Sequence, residues 1–83
     1  MLHVTQVEIH DMAIALRETA EVMVKAGSIG PVEAVTRSAT EALLDTVKKW
    51  KSDNAVIAAM TVQPSTTWPE VLTIANTIYQ LTR

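Results

Sequence analysis

The sequence contains no cysteine and no phenylalanine, and its 83 residues include only two glycines and three prolines. Without cysteine the chain can form neither a disulfide bridge nor a thiolate metal site, so helix packing and self-association are left to stabilise it. The two glycines, Gly27 and Gly30, cannot build a glycine-rich phosphate loop, because no Lys-Ser or Lys-Thr pair comes directly after Gly30. These absences argue against a disulfide scaffold and against nucleotide hydrolysis.

Long apolar runs and a strong net charge are also missing. No stretch approaches the roughly 20 consecutive apolar residues that a membrane span needs, and Met1 to His10 carries neither the basic nor the apolar region of a signal peptide. The formal net charge of −2 argues against nucleic acid or an anionic membrane surface as a partner. We therefore expect a soluble, cytoplasmic protein, with secretion without a cleavable signal left as an open alternative.

The composition of the chain predicts a single domain, residues 1–83, with a small core. A chain of this length has room for only one hydrophobic core. Hydrophobic residues make up 48% of the sequence and charged residues 19%. This ratio is high for so small a protein, and it predicts that some apolar surface stays exposed on a single copy.

The first segment, about Val4 to Ala26, has the spacing of an amphipathic helix. Gly27, Ser28 and Gly30 should end it. One apolar seam of alternating three- and four-residue steps runs along it and comprises Leu2, Thr5, Ile9, Met12, Leu16, Thr19 and Met23.

The second segment, about Pro31 to Lys51, repeats the helical spacing, and Pro31 is suited to a first helical position. Together the two segments predict a helical hairpin. Small side chains at Ala34, Ala39 and Ala42 would allow the helices to approach closely. The stripe predicted to face the core comprises Val32, Val35, Ala39, Ala42, Leu43, Thr46 and Trp50.

The remaining third of the chain predicts two more helices. Ser52, Asp53 and Asn54 are candidate N-caps for a short run to Gln63 that is apolar nearly all round and should therefore be buried. Thr67 to Glu70 then resembles a capping box that opens a last helix to about Thr82. A β-strand is the competing interpretation of that segment, because it is rich in β-branched residues, but its apolar positions recur at helical spacing.

The predicted fold is thus all-α: a helical hairpin, a short buried helix and a C-terminal helix in a small bundle of three to four helices. Charge is distributed unevenly along it. Of nine acidic and seven basic residues, all but Glu70 and Arg83 lie at or before Asp53. The apolar segment after Asp53 is expected either to be covered by the hairpin or to meet a partner.

No arrangement of residues predicts catalysis, a cofactor or a metal. His3 and His10 are seven residues apart, whereas zinc ligands on one helix normally lie at i and i+4, so we interpret both as ordinary, largely exposed histidines. The serines and the neighbouring carboxylates Glu18 and Glu21 are explained by turns and by solvated helix faces. We therefore expect no enzyme and infer no small-molecule substrate.

The three aromatic residues are candidates for core or contact positions. We expect Trp50, on the seam of the second helix, to lie in the core. Trp68, at a helix start beside Pro69, is a candidate for either the core or an interface anchor.

The function predicted on these grounds is a non-enzymatic protein–protein interaction module: a self-associating adaptor, a chaperone-like protein or an assembly subunit with an apolar C-terminal helical surface. Its expected partner is a protein, foremost a second copy of itself. A small helix-turn-helix DNA-binding regulator is the alternative, although the last helix offers only Asn76 and Gln80 for base contacts and no basic residue before Arg83. The predicted interface residues, which bury against each other or across a two-fold axis, are Ile9, Met12, Leu16, Met23, Trp68, Val71, Ile74, Ile78, Tyr79 and Leu81.

Overall fold

A computed structural model describes residues 6–83, and in that range the chain forms four helices and no strand. They are α1 (Gln6–Lys25), α2 (Ala34–Trp50), α3 (Ala55–Ala59) and α4 (Trp68–Thr82). The all-α bundle predicted from the sequence is confirmed. The predicted start of the first helix near Val4 lies outside the described residues.

The core forms mainly where α1 packs along α4. Three alanines, Ala13 and Ala20 on α1 and Ala75 on α4, are fully buried, so the two backbones approach closely. The larger buried side chains lie in two clusters. One holds Ile9, Leu43, Leu44, Val47, Ile57, Ile74 and Ile78 around Ala13, and the other holds Val32, Trp68 and Val71 around Ala20.

The end of α1 is set by Gly27, as the sequence predicts. Gly27 has a φ of 81°, a left-handed conformation that a side chain disfavours. Its N–H donates to the carbonyl of Val24, and the N–H of Ser28 donates to the carbonyl of Met23 at 3.1 Å. This pair of hydrogen bonds is a Schellman motif, which satisfies the last carbonyls of the helix.

The predicted start of the second helix at Pro31 is wrong by three residues. Pro31 forms an isolated antiparallel bridge with Thr67, and the N–H of Val32 donates to the carbonyl of Thr66 at 2.9 Å. Val32 is buried beside Trp68. The chain stays extended here because this short pairing brings the Val32 side chain into the core, and α2 begins only at Ala34.

The predicted buried face of α2 is also largely wrong. Its buried residues are Thr40, Leu43, Leu44 and Val47, whereas Val35, Ala39 and Ala42 of the predicted stripe are exposed. Both stripes have helical spacing, and α2 is rotated so that Leu44 and Val47 meet the core. The close approach expected between the first two helices occurs instead between α1 and α4.

The third helix is shorter and less buried than predicted. It ends at Ala59 rather than near Gln63, and of its five residues only Ile57 is buried, while Val56 is 60% exposed. The Oδ1 of Asn54 accepts a hydrogen bond from the N–H of Ile57 at 3.0 Å, as its predicted N-cap role requires. A helix of little more than one turn presents only one side chain to the core.

The last segment forms a helix over its whole predicted length, and the competing interpretation as a β-strand is wrong. At its start the Oε1 of Glu70 accepts hydrogen bonds from the N–H of Thr67 at 3.1 Å and from the Thr67 hydroxyl at 2.9 Å. This is the contact expected of a capping box. Trp68 is buried with 7% exposure and so takes the core alternative of its two predicted roles, whereas Trp50, which was expected in the core, is 36% exposed.

Candidate functional site

The predicted interface residues lie mostly inside the fold. Ile9, Trp68, Val71, Ile74 and Ile78 are buried, because α1 covers the apolar face of α4. The predicted burial of these two faces against each other therefore occurs within one chain, and the apolar C-terminal surface is not open to a partner in this fold. Of the other five residues, Met12 is 43% exposed, and the half-buried ones are Leu16, Met23, Tyr79 and Leu81.

An apolar groove lies instead between α1 and α2, where the two helices diverge. It encloses about 610 Å³. Along α2, the lining from Val35 to Thr46 corresponds to about 16 Å of helix axis at a rise of about 1.5 Å per residue. The side chains that line it are Met12, Ala15, Leu16 and Thr19 from α1 and Val35, Thr36, Ala39, Ala42, Leu43 and Thr46 from α2.

The lining of the groove contains no charged side chain. The hydroxyl of Thr19 donates to the carbonyl of Ala15 at 3.1 Å, and that of Thr46 donates to the carbonyl of Ala42 at 2.9 Å. Because these hydroxyls donate to their own helices, they do not offer that hydrogen bond to a ligand. The groove therefore presents mainly methyl and methylene groups to whatever enters it.

Small side chains give the groove its width. Ala15 on one wall and Ala39 and Ala42 on the other are exposed, and each leaves its helix backbone close to the groove. Helices pack at interaxial distances of about 8–10 Å, and the distance is shorter where the side chains at the contact are small. A third helix can therefore approach α1 and α2 closely at these positions.

The rims of the groove carry charge, and the two rims differ. On α1, Asp11 and Glu18 lie four residues before and three residues after Ala15, so they flank it on the helix surface, and both are exposed. On α2, Asp45 and Lys49 lie three and seven residues after Ala42, and both are exposed. The α1 rim is thus acidic, whereas the α2 rim carries one charge of each sign.

Trp50 extends the apolar wall of α2 beyond the groove. It lies four residues after Thr46, one turn further along the same side of the helix. The Nζ of Lys51 lies 4.5 Å from the centroid of its ring, a cation–π distance. Tryptophan is enriched among the residues that contribute most to binding at protein interfaces, so Trp50 is a candidate anchor.

A separate polar cluster joins α1 to α4 and explains the half-buried Tyr79. The ring of His10 stacks on Tyr79 with centroids 5.0 Å apart, and the Cζ of Arg17 lies 4.4 Å from the Tyr79 centroid. Arg17 also forms a salt bridge with Glu21 at 3.1 Å. The hydrogen bond with Glu21, followed by that with Tyr79, raises the pKa of Arg17 above its ordinary value, so the guanidinium stays charged.

His10 is therefore not the largely exposed histidine expected from the sequence, because it is half-buried against Tyr79 and Thr82. His3 lies outside the described residues. Within residues 6–83, no group of three His, Asp or Glu side chains is placed to hold a metal ion. The polar cluster is explained by contacts between two packed helices.

In the part that the structure describes, no helix is both long and apolar enough to cross a membrane. Comparisons with protein-family models, with curated proteins and with solved structures found no match to this chain. The groove and its rims are therefore the features of this chain that bear on its function.

Proposed function

We propose that this chain is a non-enzymatic protein-interaction module that binds an amphipathic helix in the groove between α1 and α2. The observation that carries the proposal is the groove's lining, which is uncharged and whose Thr19 and Thr46 hydroxyls already donate within their own helices. Such a lining gains free energy mainly by burying apolar surface.

The shape of the groove favours a helix over a small molecule. Sites for small ligands combine apolar walls with a few convergent polar groups that fix orientation. The side-chain polar groups of this lining are three threonine hydroxyls, of which those of Thr19 and Thr46 already donate within their own helices. The groove is an open channel about three helical turns long between two helices. A helix in a groove buries its apolar stripe at i, i+3, i+4 and i+7 and leaves its polar side in water.

The acidic rim on α1 adds a chemical preference. Asp11 and Glu18 would lie beside the polar edge of a helix bound in the groove. Lys or Arg at that edge would be attracted, whereas Asp or Glu would be repelled. We therefore propose a bound helix with an apolar stripe and basic residues along one edge.

The helix-turn-helix alternative stays a sequence prediction. It requires basic or amide side chains on the exposed face of α4. Among the residues of α4, those exposed are Pro69, Glu70, Thr73, Asn76 and Gln80, and none is basic. We do not adopt it, because only Asn76 and Gln80 on this face could contact base edges.

Binding to a designed peptide tests the proposal. A fluorescein-labelled helix of about 18 leucines and lysines, with the leucines on one stripe, is long enough to fill the groove. We expect its fluorescence anisotropy to rise on titration with the protein. A peptide of the same composition with the leucines dispersed should not bind, because it has no continuous apolar face.

A matched pair of variants on α2 locates the site. Ala39→Gln places a bulky amide in the groove, whereas Ala34→Gln makes the same change at an exposed residue of α2 outside it. We expect Ala39→Gln to weaken peptide binding about tenfold or more, because the amide would be desolvated on binding, and Ala34→Gln to leave it unchanged. Equal binding of both peptides, or equal binding by both variants, would refute the proposal.

A further inference from the structure

We propose that the helix bound in the groove belongs to a different protein and carries two Lys or Arg residues seven positions apart beside its apolar stripe. This inference rests on the proposed function, because it names the partner of the same groove. The spacing of the basic pair depends on the charges at the rims. The origin of the helix depends on the charges of the chain's own helices.

The acidic rim of α1 fixes the spacing of the basic pair. Asp11 and Glu18 are both exposed and lie seven residues apart, so they lie on the same side of α1, about 10.5 Å apart along its axis. A helix bound lengthwise in the groove has the same rise per residue, so two of its residues seven positions apart have the same separation on one edge. Lys or Arg at both positions would each meet one carboxylate.

The rim of α2 selects for neither charge. The edge beside its groove-lining stripe carries Asp45 and Lys49, which are exposed, opposite in charge and about one helical turn apart. A charged residue of the bound helix on this side is attracted by one of them and repelled by the other. The basic pair therefore belongs on the edge of the bound helix that faces α1.

The volume of the groove requires large apolar side chains on the bound helix. Ala15, Ala39 and Ala42 line it and are exposed, and a space of about 610 Å³ lies between the two walls. The cores of protein interfaces pack as densely as protein interiors, and an unfilled void loses contacts. Leu, Ile or Met on the stripe of the bound helix would fill this space, whereas alanines would leave part of it empty.

The exposed stripe of α2 does not meet these requirements in a second copy. It combines Val35 with Ala39 and Ala42, so it offers small side chains to a groove that is itself lined by alanines. The edge beside it is neutral overall, because it carries Asp45 with Lys49. In the whole sequence, no two of the seven Lys and Arg residues lie seven positions apart.

The other long helices that the structure describes do not meet them either. The groove wall of α1 lies beside Asp11 and Glu18, which would repel their counterparts on a second α1. The apolar face of α4 is buried under α1, and the exposed residues of α4 include Glu70 but no Lys or Arg. A second copy therefore offers the acidic rim no complementary pair, which assigns the bound helix to another protein.

Two fluorescein-labelled peptides of equal composition test the basic pair. Both are helices of about 18 residues made of leucine, glutamine and two lysines, with the leucines on one stripe. In the first peptide the lysines lie seven positions apart beside the stripe, and in the second they lie seven positions apart on the opposite side. By fluorescence anisotropy at low salt, we expect the first to bind about three- to tenfold more tightly, because it forms two more exposed opposite-charge pairs. Sodium chloride should reduce this difference, since salt screens exposed charges.

Charge reversal on the rim locates the contact. Glu18→Lys should weaken binding of the first peptide and strengthen binding of a version in which both lysines are replaced by glutamate. Glu41→Lys makes the same change at an exposed residue of α2 outside the groove lining and its rims, and it should leave both affinities unchanged. Circular dichroism establishes that both variants remain helical. Equal effects of the two variants would mean that net charge, rather than the α1 rim, sets the preference, and would overturn the inference.

The mass of the chain alone tests the origin of the helix. Light scattering after gel filtration, from micromolar to millimolar concentration, should give a one-chain mass throughout. Ala39→Glu places a charge in the groove, and Ala34→Glu makes the same change outside it. A two-chain mass that Ala39→Glu reduces to one chain, and that Ala34→Glu leaves intact, would assign the groove to a second copy and overturn the inference.

Failure of this inference and failure of the proposed function give different results. Equal binding of the two lysine-pair peptides at low salt would overturn the basic pair while leaving a groove that binds helices. Binding of neither of them, together with no binding of the leucine–lysine peptide, would overturn both proposals. The expected result is tighter binding of the first peptide to a chain whose mass is that of one copy.

Discussion

The hydroxyl of Thr82, in the last turn of α4, lies 2.8 Å from Nδ1 of His10 in α1. The same oxygen lies 3.0 Å from the carbonyl of Ile78 and 3.1 Å from that of Tyr79. A hydroxyl has one proton, and here a helix carbonyl accepts it, so we infer that Nδ1 of His10 donates to the oxygen of Thr82. This hydrogen bond joins two residues 72 positions apart in the chain.

Thr82→Val should remove this bond while keeping the shape of the side chain. Nδ1 of His10 would then lose its partner at a half-buried position, and we expect the free energy of unfolding to fall by about 1 kcal/mol. In a chain of this size that change lowers the melting temperature by roughly 4–8 °C. Thermal unfolding followed by circular dichroism measures it.

Thr73→Val is the matched control for Thr82→Val. The hydroxyl of Thr73 also donates to a carbonyl of its own helix, that of Pro69 at 3.0 Å, but Thr73 is exposed. We expect a change within about 0.5 kcal/mol. Equal losses for the two variants would mean that the contact with His10 contributes nothing to stability.

Because α1 packs closely on α4, a larger side chain at the contact should destabilise the fold. Ala13 is fully buried between the helices, whereas Ala15, two residues later, is exposed in the groove. Ala13→Leu should lower the free energy of unfolding by about 1–3 kcal/mol, because added methylene groups force a packed interior apart. Urea titration measures the difference.

Ala15→Leu makes the same substitution where there is space. We expect it to leave the stability of a single chain unchanged within about 0.5 kcal/mol. Ala15→Leu should also weaken binding of the leucine–lysine peptide, because the larger side chain fills part of the groove. If Ala15→Leu destabilised the chain as much as Ala13→Leu, the groove would be closed in solution.

The elements that sequence reasoning predicted well are those with local signals. The capping contact between Thr67 and Glu70 spans three residues, and Gly27 ends α1 through hydrogen bonds to the preceding turn. Such contacts form within a helix end whatever it packs against. For this reason the start of α4 and the end of α1 could be read directly from the residues.

The orientation of α2 could not be read in this way. Its residues form two helical stripes, one through Leu44 and Val47 and one through Val35, Ala39 and Ala42. Either stripe is apolar enough to be buried, and the choice depends on where α1 and α4 leave space. The missed signal was the run of Thr40, Leu43, Leu44 and Val47 at i, i+3, i+4 and i+7, whose side chains are larger than those of the competing stripe.

The groove was missed for the same reason. Sequence reasoning placed the interaction surface on the nearly uncharged C-terminal segment. The apolar residues Val71, Ile74 and Ile78 of that segment are buried under α1, and the exposed positions of α4 are mostly uncharged polar residues. The high apolar content did predict that some apolar surface would remain exposed. Its location on α1 and α2 follows from tertiary packing, which no single helix encodes.

Between α2 and α4, the cap of α3 is one hydrogen bond that can be tested alone. The side chain of Asn54 accepts from the N–H of Ile57, and Ile57 is the residue through which α3 enters the core. Asn54→Ala removes the cap. We expect the free energy of unfolding to fall by about 1 kcal/mol, the usual cost of losing an N-cap.

Hydrogen exchange shows whether that loss is local. A helix of five residues has little stability of its own, so without the cap the amides from Ala55 to Met60 should exchange faster. Asn76→Ala, at an exposed position of α4, is the control and should leave exchange unchanged there. Unaltered protection of the Ile57 amide in Asn54→Ala would mean that burial of the Ile57 side chain, rather than the cap, holds α3 in place.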